Sequence, residues 1–398
     1  MNAIRQFLFF FLSICWGSTF AQTCTTTINP GSNVAGAVSS AVPGSTICLN
    51  SGSWGKITLA GIVKSNFVTI QSTTGVDASL YLVINGGSQF IRASSLTITG
   101  AEINGASTKN IAVLNSTFKG GMFINTTNFN NNNILVDGNT FSGINGSQVP
   151  GGQEGRLSVN WPGGPGSVPN GVTVSNNVFN GKGCSDGVQL GSYGTVVGPG
   201  NVFADLTQGS CSEHVDAIQG YGQRNSVIKG NYFYQPRVCI GHYDAASNET
   251  IEGNVFVGNG TGADGTQCVI DLGSQTNMLF RHNTVRGASM RVGGINTSAG
   301  GSGTYTDNIM QGTNFSSGPL GSCTACTFTH NLFPSGGTGT NNLVGTPIYV
   351  GGTLPTSLGG WQLVSGSPGY RAASDGSDMG ASMGQGPAVA PPTGLRVQ

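Results

Sequence analysis

Two stretches of the chain carry one short phrase, Asp-x-Val/Ile-Gln, thirty residues apart: CSDGVQLG at 184–191 and EHVDAIQG at 213–220. Laid one above the other, they set Asp186 on Asp216 and Gln189 on Gln219. The following stretches, IGHYDA at 240–245 and VIDLG at 269–273, add His242, Asp244 and Asp271. The chain has only 16 acidic residues and four histidines, so a column gathering these aspartates with His214 and His242 stands out.

Carboxylates stacked at strand spacing lie about 5 Å apart in adjacent layers and roughly 10 Å apart two layers on, bracketing the separations of retaining and inverting glycoside hydrolysis. Crowding lifts one pKa and so makes a general acid. The expectation is acid–base hydrolysis by Asp186, Asp216 and Asp244, with His214 or His242 tuning the pair or binding a sugar hydroxyl. Candidate substrate contacts are Gln189, Gln219 and Asp271, Arg237 five residues before His242, and the rings of Trp161, Tyr221 and Tyr243. The same carboxylates suit Ca2+, and an Asp at a strand end also serves simply to bond turn amides. Two other readings stay open. One is β-elimination on a uronic-acid polymer, with Arg237 or a histidine as base. The other is a non-catalytic glycan-binding or structural protein.

Something must hold such a column, and the sequence supplies a repeat. The phrase is two or three β-formers, a small or polar residue, Asn, any residue, then an apolar residue. It recurs at Asn139, Asn177, Asn201, Asn231, Asn254, Asn283, Asn308 and Asn331, with a degenerate copy around Ser116. From Asn177 to Asn331 the period averages about 26 residues, enough for three short strands and their turns. The expected architecture is all-β: a right-handed parallel β-helix in which stacked Asn form an internal amide ladder. Val34 to Val42 reads as a short helix capping its N-terminal end.

Cys184, Cys211, Cys239 and Cys268 stand 27, 28 and 29 residues apart, close to one coil each. Stacked residues fall within disulfide reach, which pairs Cys184 with Cys211 and Cys239 with Cys268. Cys24 with Cys48 would staple the cap to the first coil. Cys323-Thr-Ala-Cys326 has redox CxxC spacing, but no thioredoxin-like βαβ pattern surrounds it and no second ligand pair at zinc spacing accompanies it, so a loop disulfide is expected.

Arg5, the apolar run from Phe7 to Ile14 and Thr19-Phe20-Ala21 read as a signal peptide over 1–21, followed by the β-helix domain over 22–385 and a flexible tail over 386–398. The expected location is therefore secreted, extracellular or periplasmic, where the eight remaining cysteines can oxidise. A net charge of zero and 8% charged residues leave no basic excess for nucleic acid or an anionic membrane. No later run is apolar enough to span a bilayer. The polar turns offer no evident interface, so a monomer acting on polysaccharide is expected.

The coil phrase, PGSTICLNSGSW at 43–54 and SPGYRAASDGSDMGA at 367–381 resemble the pectate-lyase-like superfamily. That resemblance implies a secreted right-handed β-helix, many relatives of which cleave polysaccharides. The polygalacturonase-type motifs are absent: Gly241-His242 is followed by Tyr243, and no Asp-Asp pair occurs. The Trp-Ile-Asp-His signature of pectate lyases is missing too.

Overall fold

Each repeat turns a corner at the residue before its Asn. Gly138, Asn176, Gly200, Gly230, Gly253, His282, Asp307 and His330 all hold φ between 51° and 83°. This left-handed conformation suits Gly and is otherwise met by short polar side chains that bond locally, which explains the small or polar position in the phrase. Strands flank each corner, and the coils so formed stack as a right-handed parallel β-helix in a computed structural model of the chain. The structure describes residues 23–125, 131–159, 169–212, 214–242, 245–259, 267–273, 275–292, 301–311, 323, 325–337 and 339–381. The segments read as signal peptide and tail lie outside these residues.

Three parallel ladders line the central coils, and the first of them runs from end to end. The first has 13 strands, from Thr26–Ile28 to Ala325–Thr329. The second holds the short strands that follow each Asn, such as Val178–Asn180, Val202–Ala204 and Tyr232–Tyr234. The third holds Met122–Asn125, Gly155–Val159, Asp186–Leu190, Asp216–Gly220, Val238–His242, Val269–Leu272 and Ser289–Val292. Near the N-terminus the last two merge, for Thr97–Asn104 pairs with both Thr117–Phe118 and Met122–Asn125.

The interior is stacked by residue type. Phe118, Phe141, Phe179, Phe203, Phe233 and Phe256 form one column with centroids 4.1 to 4.9 Å apart. Asn139 through Asn331 form the amide ladder, each Nδ2 donating to the next Oδ1 at 2.9 to 3.2 Å. Ser116 takes a rung at one end, its N–H donating to Asn139 Oδ1, and Asn342 accepts from Asn331 at the other.

Helix Val34–Ser40 buries Val34 and Val38 on the first coils. Asn33 caps it, accepting from Gly36 N–H at 2.9 Å, and Lys64 donates to the carbonyls of Ser39 and Ala41 near its C-terminus. Residues after the last coil fold back: Tyr349, Trp361, Leu363 and Met379 pack on Val202, Tyr232, Val255 and Ile309 of the second ladder.

The four disulfides join Cys24 to Cys48, Cys184 to Cys211, Cys239 to Cys268 and Cys323 to Cys326, as the spacing predicts. No helix among the described residues is long and apolar enough to cross a membrane. The Cys24–Cys48 bridge closes a loop across 24 positions and ties the cap to its coil. Replacing both cysteines with Ala should cost about 3 kcal/mol, read as a lower urea midpoint. An unchanged midpoint would mean that helix packing alone secures this end.

Candidate functional site

Asp186 and Asp216 each open a strand of the third ladder, and the register sets Gln189 on Gln219. Asp186 Oδ1 accepts the Asp216 N–H at 2.7 Å, and its Oδ2 accepts from Gln189 Nε2 at 3.1 Å. Gln189 Nε2 also donates to Gln219 Oε1 at 2.6 Å, while Gln189 Oε1 accepts from Ser158 Oγ and the Glu154 N–H. The glutamines thus form a short amide bridge beside the carboxylates.

Asp186 and Asp216 are 1% and 0% exposed. Among the described residues neither buried oxygen of Asp216 has a hydrogen-bond partner, and His214 Nδ1 lies 3.5 Å from Oδ1 as an ion-pair contact. His214 is partly open to solvent. One ligand atom from each of Asp186, His214 and Asp216 falls within 4.8 Å of the others, and the group could hold a metal ion. Two carboxylate oxygens and an imidazole nitrogen are a donor set for a divalent cation. The orphaned oxygens of Asp216 fit that use, since buried carboxylates are otherwise paired.

Electrostatics agree with the geometry. Burial first, and then the Asp216 charge, hold the Asp186 carboxyl well above the usual carboxylate range. The close contact with Asp216, aided by its charge and that of Asp186, pushes His214 up to about 9 despite partial burial. Below that pH a proton on His214 supplies the positive charge that a cation would otherwise bring.

Arg156 and Glu154 are not among the residues singled out from sequence. Arg156 is 0% exposed, and its guanidinium donates to the carbonyls of Phe141, Asn180 and Gly181. Burial lowers its pKa to about 10, and the Asp186 charge opposes that fall, so it stays cationic at neutral pH. One coil on, Gly187 follows Asp186 as Arg156 follows Gly155. The one signal for a special position was that glycine, where a neighbouring coil carries a long side chain.

The remaining candidates scatter. Asp271 stacks on Gly241, in the Gln219 column rather than the Asp186 column, with Arg291 Nη1 3.8 Å from its Oδ2. Burial raises the Asp271 pKa to about 6, with Arg291 opposing. Arg237 donates to Gln208 Oε1, and Tyr221 is exposed just past the Asp216–Gly220 strand. Trp161, Tyr243 and Asp244 lie outside the described residues.

His242 does not join the column. It stacks on Gly220 and Leu272, one residue out of step with Gln219, and the pleat buries it completely. There its Nδ1 lies 3.2 Å from Glu249 Oε2, and Gln223 and Gln275 contact the two ring nitrogens. Burial lowers His242 to about 3 and raises Glu249 to about 8.

These shifts set a stability window. Glu249 is raised, so its contribution is complete below its ordinary value of 4.5 and is lost as pH climbs through 8. His242 is lowered, so its contribution is present above 6.5 and is lost as pH falls toward 3. Glu249→Gln keeps the shape and removes the first loss. Thermal melts from pH 5 to 9 should show the variant gaining on the parent up to about pH 8 and then holding level. A constant difference across that range would refute the assignment.

Neither a family model nor a curated protein matches the chain. Solved structures do. An arginine variant of the PL6 family alginate lyase AlyGC matches with TM-score 0.52 and 14% identity, over 91% of this chain and 59% of that one. A mannuronic acid specific polysaccharide family 6 lyase from human gut microbiota matches with TM-score 0.50 and 14% identity, over 77% and 86%. A PL6 family polysaccharide lyase from Pseudopedobacter saltans gives 0.50 and 13%, over 78% and 84%. The chain thus spans 59% of the length of the first of these. At such identities the likeness carries the fold, a right-handed parallel β-helix, and no activity.

Proposed function

We propose that the chain is an extracellular polysaccharide lyase, cleaving a uronate-containing polymer by β-elimination beside a divalent cation held by Asp186, His214 and Asp216. The observation that carries this reading is the pair of buried Asp216 oxygens, without a hydrogen-bond partner among the described residues, facing a half-open histidine. The solved structures that share the fold and are named as alginate and polysaccharide lyases support it. The four disulfides support an oxidising, extracellular setting.

Hydrolysis by the stacked aspartates fits less well. A general acid must come within hydrogen-bond reach of the glycosidic oxygen, and Asp186 and Asp216 are closed to a polymer. Both oxygens of Asp186 are already engaged by the Asp216 N–H and by Gln189. Buried carboxylates that cannot touch substrate can still ligate an ion that does.

A bound cation would neutralise the sugar carboxylate and acidify the adjacent C–H. The chain's own residues then have defined tasks. Arg156 offsets the carboxylate charge from below, and the Gln189–Gln219 bridge fixes the Asp186 rotamer. The carboxylates suit Ca2+, while the imidazole favours Mn2+ or Zn2+, so the ion is decided by add-back.

The test is digestion of an acidic polysaccharide panel with and without chelator. Ultraviolet-absorbing unsaturated ends, lost with chelator and restored by one of these ions, are the expected result. Reducing ends without that absorbance would return the assignment to hydrolysis.

A further inference from the structure

The sheet that carries Asp186 continues toward the N-terminus, and its outer face there bears a second polar group. The register stacks Lys56 on Tyr81 and Tyr81 on Gly100, and beside them Val83 on Glu102. Lys56 Nζ lies 5.1 Å from the Tyr81 ring centroid. The Tyr81 hydroxyl donates to Glu102 Oε1 at 2.7 Å, and Asn104 Nδ2 donates to Glu102 Oε2 at 3.1 Å. Asn104 in turn stacks on Asn125.

Gly100 sets the posture of the ring. A Cβ at Gly100 would stand 2.5 Å from Tyr81 Cε2 and 2.8 Å from Cδ2, so the ring lies down over the glycine backbone. Any larger residue would push it upright. Tyr81, Glu102 and Asn104 are half-buried and Lys56 is 61% exposed, so the group is fixed yet open to solvent. Its Glu102 carboxylate is held by two donors rather than left to wander.

We infer that Tyr81, Glu102, Lys56 and Asn104 form a distal subsite for one uronate sugar of the polymer. The recumbent ring offers a face to a pyranose C–H surface. Glu102 and Asn104 are matched to sugar hydroxyls, and Lys56 to a uronate carboxylate. The inference rests on the lyase reading for its choice of sugar, though not for the existence of the site.

The strand pairings run from Asp186–Leu190 through Gly155–Val159, Met122–Asn125 and Thr97–Asn104 to Ala78–Asn85. Those steps place the subsite roughly 19 Å from the cation site. Between the two, the turn at Pro150–Gly152 covers Phe123, with Gly151 against its ring. The two groups are therefore separate patches on one face, which only an extended chain can touch together.

The experiment compares Tyr81→Ala, Tyr81→Phe and Glu102→Gln with the parent, after thermal melts show each variant folded. KM for long alginate or polygalacturonate chains should rise about tenfold in Tyr81→Ala, with kcat within about twofold. Oligosaccharides too short to bridge the two patches should be processed as by the parent, and Tyr81→Phe should lie between. Equal losses on short and long substrates, or no loss, would overturn the subsite. Affinity electrophoresis through gels containing the same polymers separates this from the lyase reading. Retardation of the parent and not of Tyr81→Ala, without cleavage, would keep the subsite and sink the lyase. Equal retardation of the two would sink the subsite whatever the catalytic assay shows.

Discussion

Asp216→Asn should weaken divalent-cation binding by at least about 100-fold, and cation-dependent cleavage should fall with it. The substitution keeps shape and volume but turns one ligand oxygen into an N–H donor, which repels a cation. It also removes the charged contact that holds His214 at about 9, so that imidazole returns toward its ordinary range. Above about pH 9, where His214 is neutral and no longer pairs with Asp216, the ion-free protein should in contrast become more stable. Asp216 has two buried oxygens without hydrogen-bond partners, and a neutral amide is cheaper to bury than an unpaired carboxylate. Stability gained while binding is lost marks a group retained for function rather than for folding.

The pH dependence has a definite sign. Protons and the cation compete for the same site, because His214 is protonated below about 9 and Asp186 is raised in the same direction. Cation affinity should therefore climb with pH from 6 to 9, and binding at pH 7 should release protons. Calorimetry in buffers of differing ionisation enthalpy reads that release directly. An Asn variant that binds and cleaves like the parent would end the cation assignment.

The fold was legible because its signals recur. Each rung Asn is preceded by a left-handed corner and followed by an apolar residue that stacks on its neighbours, so eight imperfect copies outvote any one deviation. Asn342 escaped notice because it follows Asn331 by only 11 residues, in a coil too short to show the period. Site geometry is a different problem. Asp186, His214 and Asp216 could be gathered from sequence because two adjacent coils share one phrase in register. His242 could not be placed, since its segment carries no Gln to fix the register, and a slip of one residue exchanges the two faces of a strand. Arg156 was invisible for a related reason: sequence shows a charge beside a glycine, and only the stacked coils show that Gly187 lies next to it.

The second large effect belongs to the ladder. Asn231→Ala should destabilise the protein by about 3 kcal/mol or more, because the loss is not confined to the side chain removed. Asn231 Nδ2 donates to the Val197 carbonyl and to Asn254 Oδ1, while its own Oδ1 accepts from Asn201 Nδ2. Truncation leaves these groups short of partners in a fully buried column, where no water replaces the amide. Coils stack only on their neighbours, so damage at a central rung divides the solenoid into two weakly coupled halves. Urea unfolding should then broaden or split, and a terminal rung such as Asn331, next to half-buried Asn342, should tolerate the same change better. Equal losses at Asn231 and Asn331 would show that the rungs act independently and that the ladder carries no long-range coupling.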